Sequence, residues 1–150
     1  MTGTRVRLTG SIDVPLPPAE AFPLFTPHGE RAWVDGWDPV FPDGASGDDT
    51  EPGVVFETSA HGHRTTWVVV ERHVPSSISY VRTTPGDRAG TVTVEVSEAD
   101  GGSRVQVTYD LTALRPEAVA ALEDFAAEYP SFLRSWQTAI EAMLSDEALR

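Results

Sequence analysis

The sequence of 150 residues contains no cysteine, no lysine and no asparagine. Without cysteine, the chain has no disulfide, no thiol nucleophile and no thiolate ligand for a metal. Without lysine, Schiff-base chemistry and a lysine general base are excluded, because all 11 basic residues are arginine. An oxyanion would have to be stabilised by backbone amides, arginine or another polar side chain.

Long apolar runs are also missing, and the N-terminus lacks the apolar core of a signal peptide. We therefore expect a cytoplasmic protein that does not insert into membranes. The 23 acidic residues outnumber the 11 basic ones, for a net charge of −12. This balance argues against nucleic acid and anionic membranes as partners. A hydrophobic content of 40% predicts one globular domain over residues 1–150.

The order of predicted elements begins with a strand over residues 5–15 and continues with two short helices. Pro17 and Pro18 open the first helix, and Thr26 is the expected N-cap of the second. Alternating apolar residues, separated by glycine- and proline-rich turns, then indicate five more strands. These predicted strands cover residues 54–59, 64–72, 77–84, 90–98 and 104–112.

The C-terminal part carries apolar residues at spacings of three and four, from Val119 to Met143. This pattern predicts one long amphipathic helix from residue 116 to about residue 144. Pro130 lies inside it and should bend it, because proline has no N–H to donate to the preceding turn.

Antiparallel strands joined by tight turns, with helices on one face, define an α+β domain. The sequence resembles the START-like helix-grip superfamily, which includes polyketide cyclases/dehydratases and lipid-transfer domains. The segments that carry the resemblance are "VPLPPAEAFPLF", "GERAWVDGWDPVF", "VSEADGGSRVQVTYDL" and "FLRSWQTAIEAML". It implies a curved antiparallel sheet of about six to seven strands wrapped around a long C-terminal helix, with two short helices after the first strand. It also implies an apolar cavity between sheet and helix.

The segment "GERAWVDGWDPVF" places Trp33 and Trp37 where the second short helix ends. We expect them near the mouth of the cavity, although either could instead fill the core, as buried aromatic residues usually do. The charged residues around them are expected to face water or to hold the turn. These are Glu30, Arg31, Asp35 and Asp38.

Alternation places Tyr80 and Arg82 on the same face of a strand as Ile78. If that face is the inner one, Arg82 is a fixed cation suited to a carboxylate or enolate; otherwise it is a surface residue. Both faces of the 64–72 strand are apolar, so the direction of Glu71 stays open. The residues predicted to bind the ligand are Trp33, Trp37, Phe56, Trp67, Tyr80, Arg82, Tyr109, Phe125, Tyr129, Phe132 and Trp136.

The motif "HGH" at His61 and His63 raises the possibility of a metal site, since imidazole is a common metal ligand. No third ligand follows at a suitable spacing, so we predict a hairpin tip, no metal and no cofactor. The acidic loop from Asp43 to Glu51 lacks the spacing of a calcium loop.

Three functional classes remain open. The first is binding or transport of a hydrophobic small molecule, aromatic or lipid-like, by a monomer or homodimer. The second is a cyclase/dehydratase-like enzyme, which would require polar groups with perturbed pKa values inside the cavity. The third is a protein-interaction module like the co-chaperone activators, which would require an exposed apolar patch and a filled cavity. The lack of a paired acid and base in the sequence favours the first.

Overall fold

The computed structural model describes residues 4–44, 47–60 and 62–148. Six antiparallel strands form one sheet in the order β1-β6-β5-β4-β3-β2. The strands are β1 (Arg5–Val14), β2 (Val55–Ala60), β3 (His63–His73), β4 (Ser77–Thr84), β5 (Arg88–Ala99) and β6 (Gly102–Ala113). Helices cover one face of this sheet, as in an α+β helix-grip domain, so the predicted fold class is confirmed.

The inner face of the sheet follows the period-2 alternation of the sequence. Ile78 and Tyr80 of β4 are buried, and so are Val107, Tyr109 and Leu111 of β6. Tyr80 lies opposite Val92 of β5, which lies opposite Tyr109. The inward direction predicted for Tyr80 and Tyr109 is therefore correct.

A β-bulge in β3 explains why its two faces could not be told apart in the sequence. The register with β4 shifts between Val69 and Glu71, which places an extra residue, Val70, on the strand. Trp67 and Val69 point into the core, whereas Val70 is 46% exposed. Glu71 is exposed too, so it faces solvent and not the cavity.

The segment after β1 contains α1 (Pro18–Ala21) and two short 3₁₀ helices, Phe22–Phe25 and Gly29–Ala32. The hydroxyl of Thr26 accepts a hydrogen bond from the Gly29 N–H at 3.0 Å and donates one to the carbonyl of Pro23 at 2.8 Å. Thr26 thus secures the second turn, but the N-cap of this single 3₁₀ turn is His28, whose side chain makes no capping hydrogen bond, so the prediction that Thr26 is the N-cap is wrong.

The C-terminal helix is not continuous. A 3₁₀ turn at Pro116–Ala118 leads into α2 (Val119–Ala127), which ends at Glu128, and α3 (Tyr129–Ala148) follows. The bend predicted at Pro130 is therefore an interruption two residues earlier. Pro130 has no N–H for the preceding turn, so the ladder cannot pass through it unbroken. Within the described residues, no helix is long and apolar enough to span a membrane.

The helix α3 lies against β1 and β6. The Tyr129 hydroxyl donates to the carbonyl of Val107 at 2.6 Å, and the Asp13 N–H donates to the side-chain oxygen of Gln137 at 3.0 Å. Leu133 is buried against Gly10 of β1, where a Cβ would collide with its side chain. This close approach fixes α3 over one half of the sheet.

Candidate functional site

A cavity of about 620 Å³ opens between the other half of the sheet, the two C-terminal helices and the segment after Gly29. A small inner recess of about 20 Å³ lies deeper, against Phe56, Tyr80 and Val92. Aromatic side chains from five parts of the chain form most of the cavity wall. They are Trp37, Trp67, Tyr109, Phe125, Phe132 and Trp136.

These aromatic rings contact one another mainly edge to face. The ring centroids of Trp37 and Trp67 are 5.6 Å apart, those of Tyr109 and Phe132 are 5.8 Å apart, and those of Phe132 and Trp136 are 5.3 Å apart. Such pairs are favourable beyond the area that they bury. Large rings that brace each other cannot collapse inward as flexible aliphatic chains can, so they keep the cavity open.

The four tryptophans differ in what their indole N–H groups bind. Trp33 donates to the carbonyl of Leu24, Trp37 to that of Pro27, and Trp67 to the hydroxyl of Thr58, all at 2.7–2.9 Å. Trp136 donates to no residue within 4–44, 47–60 or 62–148, and it borders both the cavity and the recess. Its N–H is available to a ligand.

Arg82 projects from β4 into the cavity, so the inner of its two predicted positions is correct. Its guanidinium lies 5.3 Å from the ring centre of Trp67. It also donates a hydrogen bond to Thr84 Oγ1 at 2.7 Å, and this oxygen lies 2.6 Å from Thr65 Oγ1. Its Nε is buried and has no hydrogen-bond partner. Burial lowers the pKa of Arg82 from its usual value, because the charged form loses hydration.

No carboxylate of the described residues forms an ion pair with Arg82. Arg82 as a residue is half-buried, and a partly desolvated cation without a carboxylate partner in a cavity is a candidate functional group. Nε and the guanidinium plane together present donors in the geometry that suits an oxygen anion.

Glu30 also enters the cavity, which corrects the expectation that it faces water. It borders both the cavity and the inner recess, and desolvation raises the pKa of its carboxyl group well above the usual value. The residue as a whole is half-buried. Arg31, in contrast, is exposed and donates to the carbonyl of Pro39 at 3.0 Å, which holds the turn as predicted.

Gly29 explains how Glu30 reaches this position. The backbone at Gly29 passes so close to the carbonyl oxygen of Pro23 that a Cβ would overlap it. Only glycine permits this close approach, which allows a single tight turn to direct Glu30 inward and Arg31 outward. The sequence carries no periodic signal for this direction, because the helix has four residues.

Two phenols lie close to Glu30, whose negative charge adds to the effect of burial in raising the pKa of both Tyr80 and Tyr109. The Tyr80 hydroxyl donates to the carbonyl of Phe25 at 2.8 Å and is structural. No hydrogen bond joins the Tyr109 hydroxyl to another residue of the described part of the chain. The positive charge of Arg82 opposes this rise in the pKa of Tyr109 without reversing it. A carboxyl group and a guanidinium therefore both influence Tyr109.

Nine of the eleven residues predicted to bind a ligand border the cavity or its recess. Trp33 and Tyr129 do not. Trp33 is 8% exposed and packs edge to face on Phe25 and Trp136, so it is the tryptophan that fills the core. Tyr129 faces β6, with its hydroxyl on the carbonyl of Val107.

Charged groups surround the mouth of the cavity. Asp87 and Arg88 form an ion pair at 3.0 Å, and the Arg88 guanidinium lies 5.6 Å from the ring centre of Phe125. Exposed Asp35 and His63 complete the rim. His61 lies outside the described residues, and those that are described contain no group of three or more potential metal ligands.

The acidic loop has a structural role at Asp48. Its carboxylate pairs with Arg72 and accepts hydrogen bonds from the N–H and hydroxyl of Thr50 at 2.9 and 2.6 Å. The hydrogen bonds from Thr50 lower the pKa of Asp48, with a smaller contribution from Arg72. This carboxylate is therefore already bound within the protein.

A second concave surface, of about 690 Å³, lies at the β5–β6 turn. It is lined by turn residues and by charged side chains that reach solvent, including Asp13, Arg104 and Glu141. It contains no aromatic wall and no buried unpaired group. Although it is slightly larger than the aromatic cavity, it lacks the features of a small-molecule site.

Residues 5–141 match the family described as polyketide cyclase / dehydrase and lipid transport, and the chain belongs to this family. The helix-grip architecture is that of the START-like superfamily. A search of curated proteins finds no match to the sequence.

Solved structures with the same fold come from bacteria and plants. An uncharacterized protein from Rhizobium leguminosarum is 17% identical, with a TM-score of 0.67 over 92% of this chain and 95% of the other. Protein Ms6760 from Mycobacterium smegmatis is 19% identical, with a TM-score of 0.62 over 92% and 90% of the two chains. The major latex-like protein 151 from Panax ginseng is 16% identical, with a TM-score of 0.67 over 93% and 97%. At these identities, the likeness is one of fold.

Proposed function

We propose that the protein binds a hydrophobic small molecule in the aromatic cavity and carries it in solution. The observation that carries this proposal is the open volume of about 620 Å³ with an aromatic wall. Its size lies within the range of ligand sites, and its composition, a largely apolar lining with a few directed polar groups, is that of such sites. The family description, which includes lipid transport, supports the same proposal.

The polar groups give the ligand an orientation. Arg82, Tyr109 and Trp136 each offer a donor to the cavity, and Glu30 offers a carboxyl group. A ligand with an apolar body and at least one oxygen acceptor would satisfy these donors, of which the buried Nε of Arg82 is otherwise unpaired at a cost in free energy. The rings of Trp67 and Phe132 would contact the apolar body.

An enzyme of the cyclase/dehydrase kind is the second candidate. What favours it is the presence of Glu30, with its raised pKa, in the same cavity as Tyr109 and Arg82. Such a carboxyl group could transfer protons at a carbonyl compound while the guanidinium holds the oxygen. The interaction-module alternative receives no similar support, because the cavity is not filled.

Native mass spectrometry of the purified protein tests the proposal. We expect a complex with an apolar molecule that dissociates on denaturation, and its loss in a Trp67→Arg variant that fills the cavity with charge. Arg64→Trp, a bulky change at an exposed position of the same strand, is the matched control.

The fate of the molecule separates the two candidates. A carrier returns its ligand unchanged after prolonged incubation, whereas an enzyme returns a product that has lost water or has been cyclised. If no apolar molecule is retained by the native protein, and added apolar probes do not bind either, the proposed function is wrong.

A further inference from the structure

The cavity contains one cation and one acid that do not satisfy each other. Arg82 has a buried Nε without an acceptor, and it forms no ion pair with Glu30 or another carboxylate of the described residues. Arg82 and Glu30 border the same space. The charges of both act on Tyr109.

We infer that the cavity takes up an apolar molecule bearing an oxygen anion together with one proton, which Glu30 accepts. This rests on the proposed function and deepens it by naming the ligand class, an organic oxyanion such as a carboxylate, enolate or sulfonate on an apolar body. Arg82 is the recognition group, and Glu30 is the proton acceptor.

The side chain of Arg82 favours a ligand that carries a negative charge. A guanidinium keeps its proton at every physiological pH, so the cavity always holds this positive charge. One of its donors is bound by Thr84, while Nε is buried and free. A ligand oxygen that binds Nε also balances the charge, which a neutral acceptor would not do.

The carboxyl group of Glu30 is the group that takes up the proton when the ligand binds. A ligand anion held by Arg82 beside Tyr109 introduces a second negative charge near the Glu30 carboxyl group. Two like charges in a poorly hydrated space repel each other, and the group whose charged form is already disfavoured by desolvation takes up a proton. Protonated Glu30 then becomes an O–H donor for the ligand or for Tyr109.

Other charged and titratable groups face this space. Tyr80 and Tyr109 stay neutral, because burial and Glu30 raise their pKa values, and Arg88 at the rim is paired with Asp87. Asp49 acts on Tyr80 from the loop, and Asp35 is exposed. His63 also lies at the rim, and its replacement with glutamine is a control.

The sign of the pH dependence follows from linkage. Ligand binding raises the pKa of Glu30, so protonation of Glu30 must tighten ligand binding equally. Below the pKa of the free protein, Glu30 is already protonated and affinity is highest and constant. As the pH rises through the interval between the free and bound pKa values, affinity falls by up to about tenfold per pH unit, and it levels off above.

Two fluorescent probes of the same shape test this inference. Anilinonaphthalene sulfonate is an apolar oxyanion, and phenylnaphthylamine has the same rings without the sulfonate. Binding is measured by fluorescence and by titration calorimetry from about pH 5 to about pH 9, in buffers that differ in ionisation enthalpy. The buffer dependence of the heat gives the number of protons taken up.

We expect the sulfonate probe to bind with uptake of up to one proton, and the neutral probe to bind with none. Glu30→Gln should abolish the proton uptake and the pH dependence while still binding the sulfonate probe, whereas exposed Glu20→Gln and His63→Gln should leave both unchanged. Arg82→Leu should reduce the affinity for the sulfonate probe about 10- to 100-fold more than the affinity for the neutral one. Replacement of the exposed Arg64 by leucine should reduce the affinity for neither probe.

Three outcomes would overturn the inference while leaving the proposed function standing: binding of both probes with no proton uptake at any pH, uptake that persists in Glu30→Gln, or equal losses for both probes in Arg82→Leu. Binding of neither probe would remove the proposed function as well. Circular dichroism of each variant establishes that it folds. If Arg82→Leu does not fold, Arg82→Gln is used in its place.

Discussion

The two halves of the sheet differ in what covers them. Over β1 and β6, α3 lies in direct contact, with Leu133 seated on Gly10 and Tyr129 bonded to the backbone of Val107. Over β2, β3 and β4, the helix does not reach the sheet, and the space between is the cavity bordered by Trp67 and Arg82. One half of the sheet, the closed half, is therefore packed directly against the helix, and the other half borders the cavity.

The composition of each half accounts for this difference. The inner residues of β1 and β6 are mainly aliphatic, such as Ile12, Val105 and Val107, and aliphatic chains interdigitate until little space remains. The opposite half presents rings, which brace each other at centroid distances of 5–6 Å. Stability and the proposed ligand binding therefore depend on different residues of one apolar face.

The largest effect that tests this comparison is expected from the closed half. Ile140 of α3 is 1% exposed, so Ile140→Ala leaves a void that its neighbours cannot fill and should lower the free energy of unfolding by about 2–5 kcal/mol. Phe132→Leu, in the half-buried cavity wall, should cost less than about 1.5 kcal/mol. Urea denaturation measures both, and equal losses would erase the distinction between the two halves.

The next effect separates the two tryptophans of the segment after Gly29. Trp33→Phe removes a buried indole and leaves the carbonyl of Leu24 without its donor, which should cost about 1–3 kcal/mol of stability. Trp37→Phe should cost less and should instead reduce the change in indole fluorescence that a bound probe produces, because Trp37 borders the cavity together with Trp67 and Trp136. A ligand signal that is unchanged in Trp37→Phe but reduced in Trp33→Phe would reverse their roles.

Much of the architecture could be predicted from the sequence, because strands and amphipathic helices leave a periodic trace. The alternation of Ile78, Tyr80 and Arg82 predicted which side chains share a face, and β4 presents all three inward. Tyr109 was predicted in the same way. The order of the elements and the fold class followed from these patterns and from the turns between them.

The remaining features have no periodicity from which they could be predicted. Glu30 lies in a 3₁₀ turn of four residues, and its direction depends on the contact between Gly29 and Pro23, which are six positions apart. The bulge at Val70 shifts the faces of β3 partway along the strand. The interruption at Glu128 precedes the proline that causes it. Each depends on contacts that no local pattern records.

A smaller effect distinguishes two tyrosine hydroxyls. The Tyr80 hydroxyl donates to Phe25, so Tyr80→Phe leaves a buried carbonyl without its partner and should cost about 1 kcal/mol of stability. Tyr109→Phe removes a hydroxyl with no bond to the rest of the described chain, so stability should hardly change, while the affinity for an oxyanion probe should fall. Thermal melts and probe titrations of the two variants provide the check, and an unstable Tyr109→Phe protein would show that its hydroxyl is structural.

The last prediction concerns the sign of a pH effect at two carboxyl groups. On the outer face of the closed half, Asp110 of β6 accepts two hydrogen bonds from Arg5, at 2.9 and 2.8 Å, and these lower its pKa. Such a carboxylate adds stability above its unfolded pKa, and this is lost as the pH falls through the folded value. Asp110→Asn should therefore lower the Tm slightly at neutral pH and leave it unchanged in acid, since Arg5 is exposed and screened.

Glu30 has the opposite sign, because burial raises its pKa in the folded protein. Below the pKa of Glu30 in the unfolded state, Glu30 is protonated in both the folded and the unfolded state and does not change the free energy of unfolding. As the pH rises through the pKa of Glu30 in the folded state, the folded state loses stability relative to the unfolded one. Glu30→Gln removes this loss, so its Tm should match that of the unmodified protein in acid and exceed it at alkaline pH. If the Tm difference between Glu30→Gln and the unmodified protein is the same at every pH, the Glu30 carboxyl group is hydrated. The cavity over β2, β3 and β4 would then contain no buried acid.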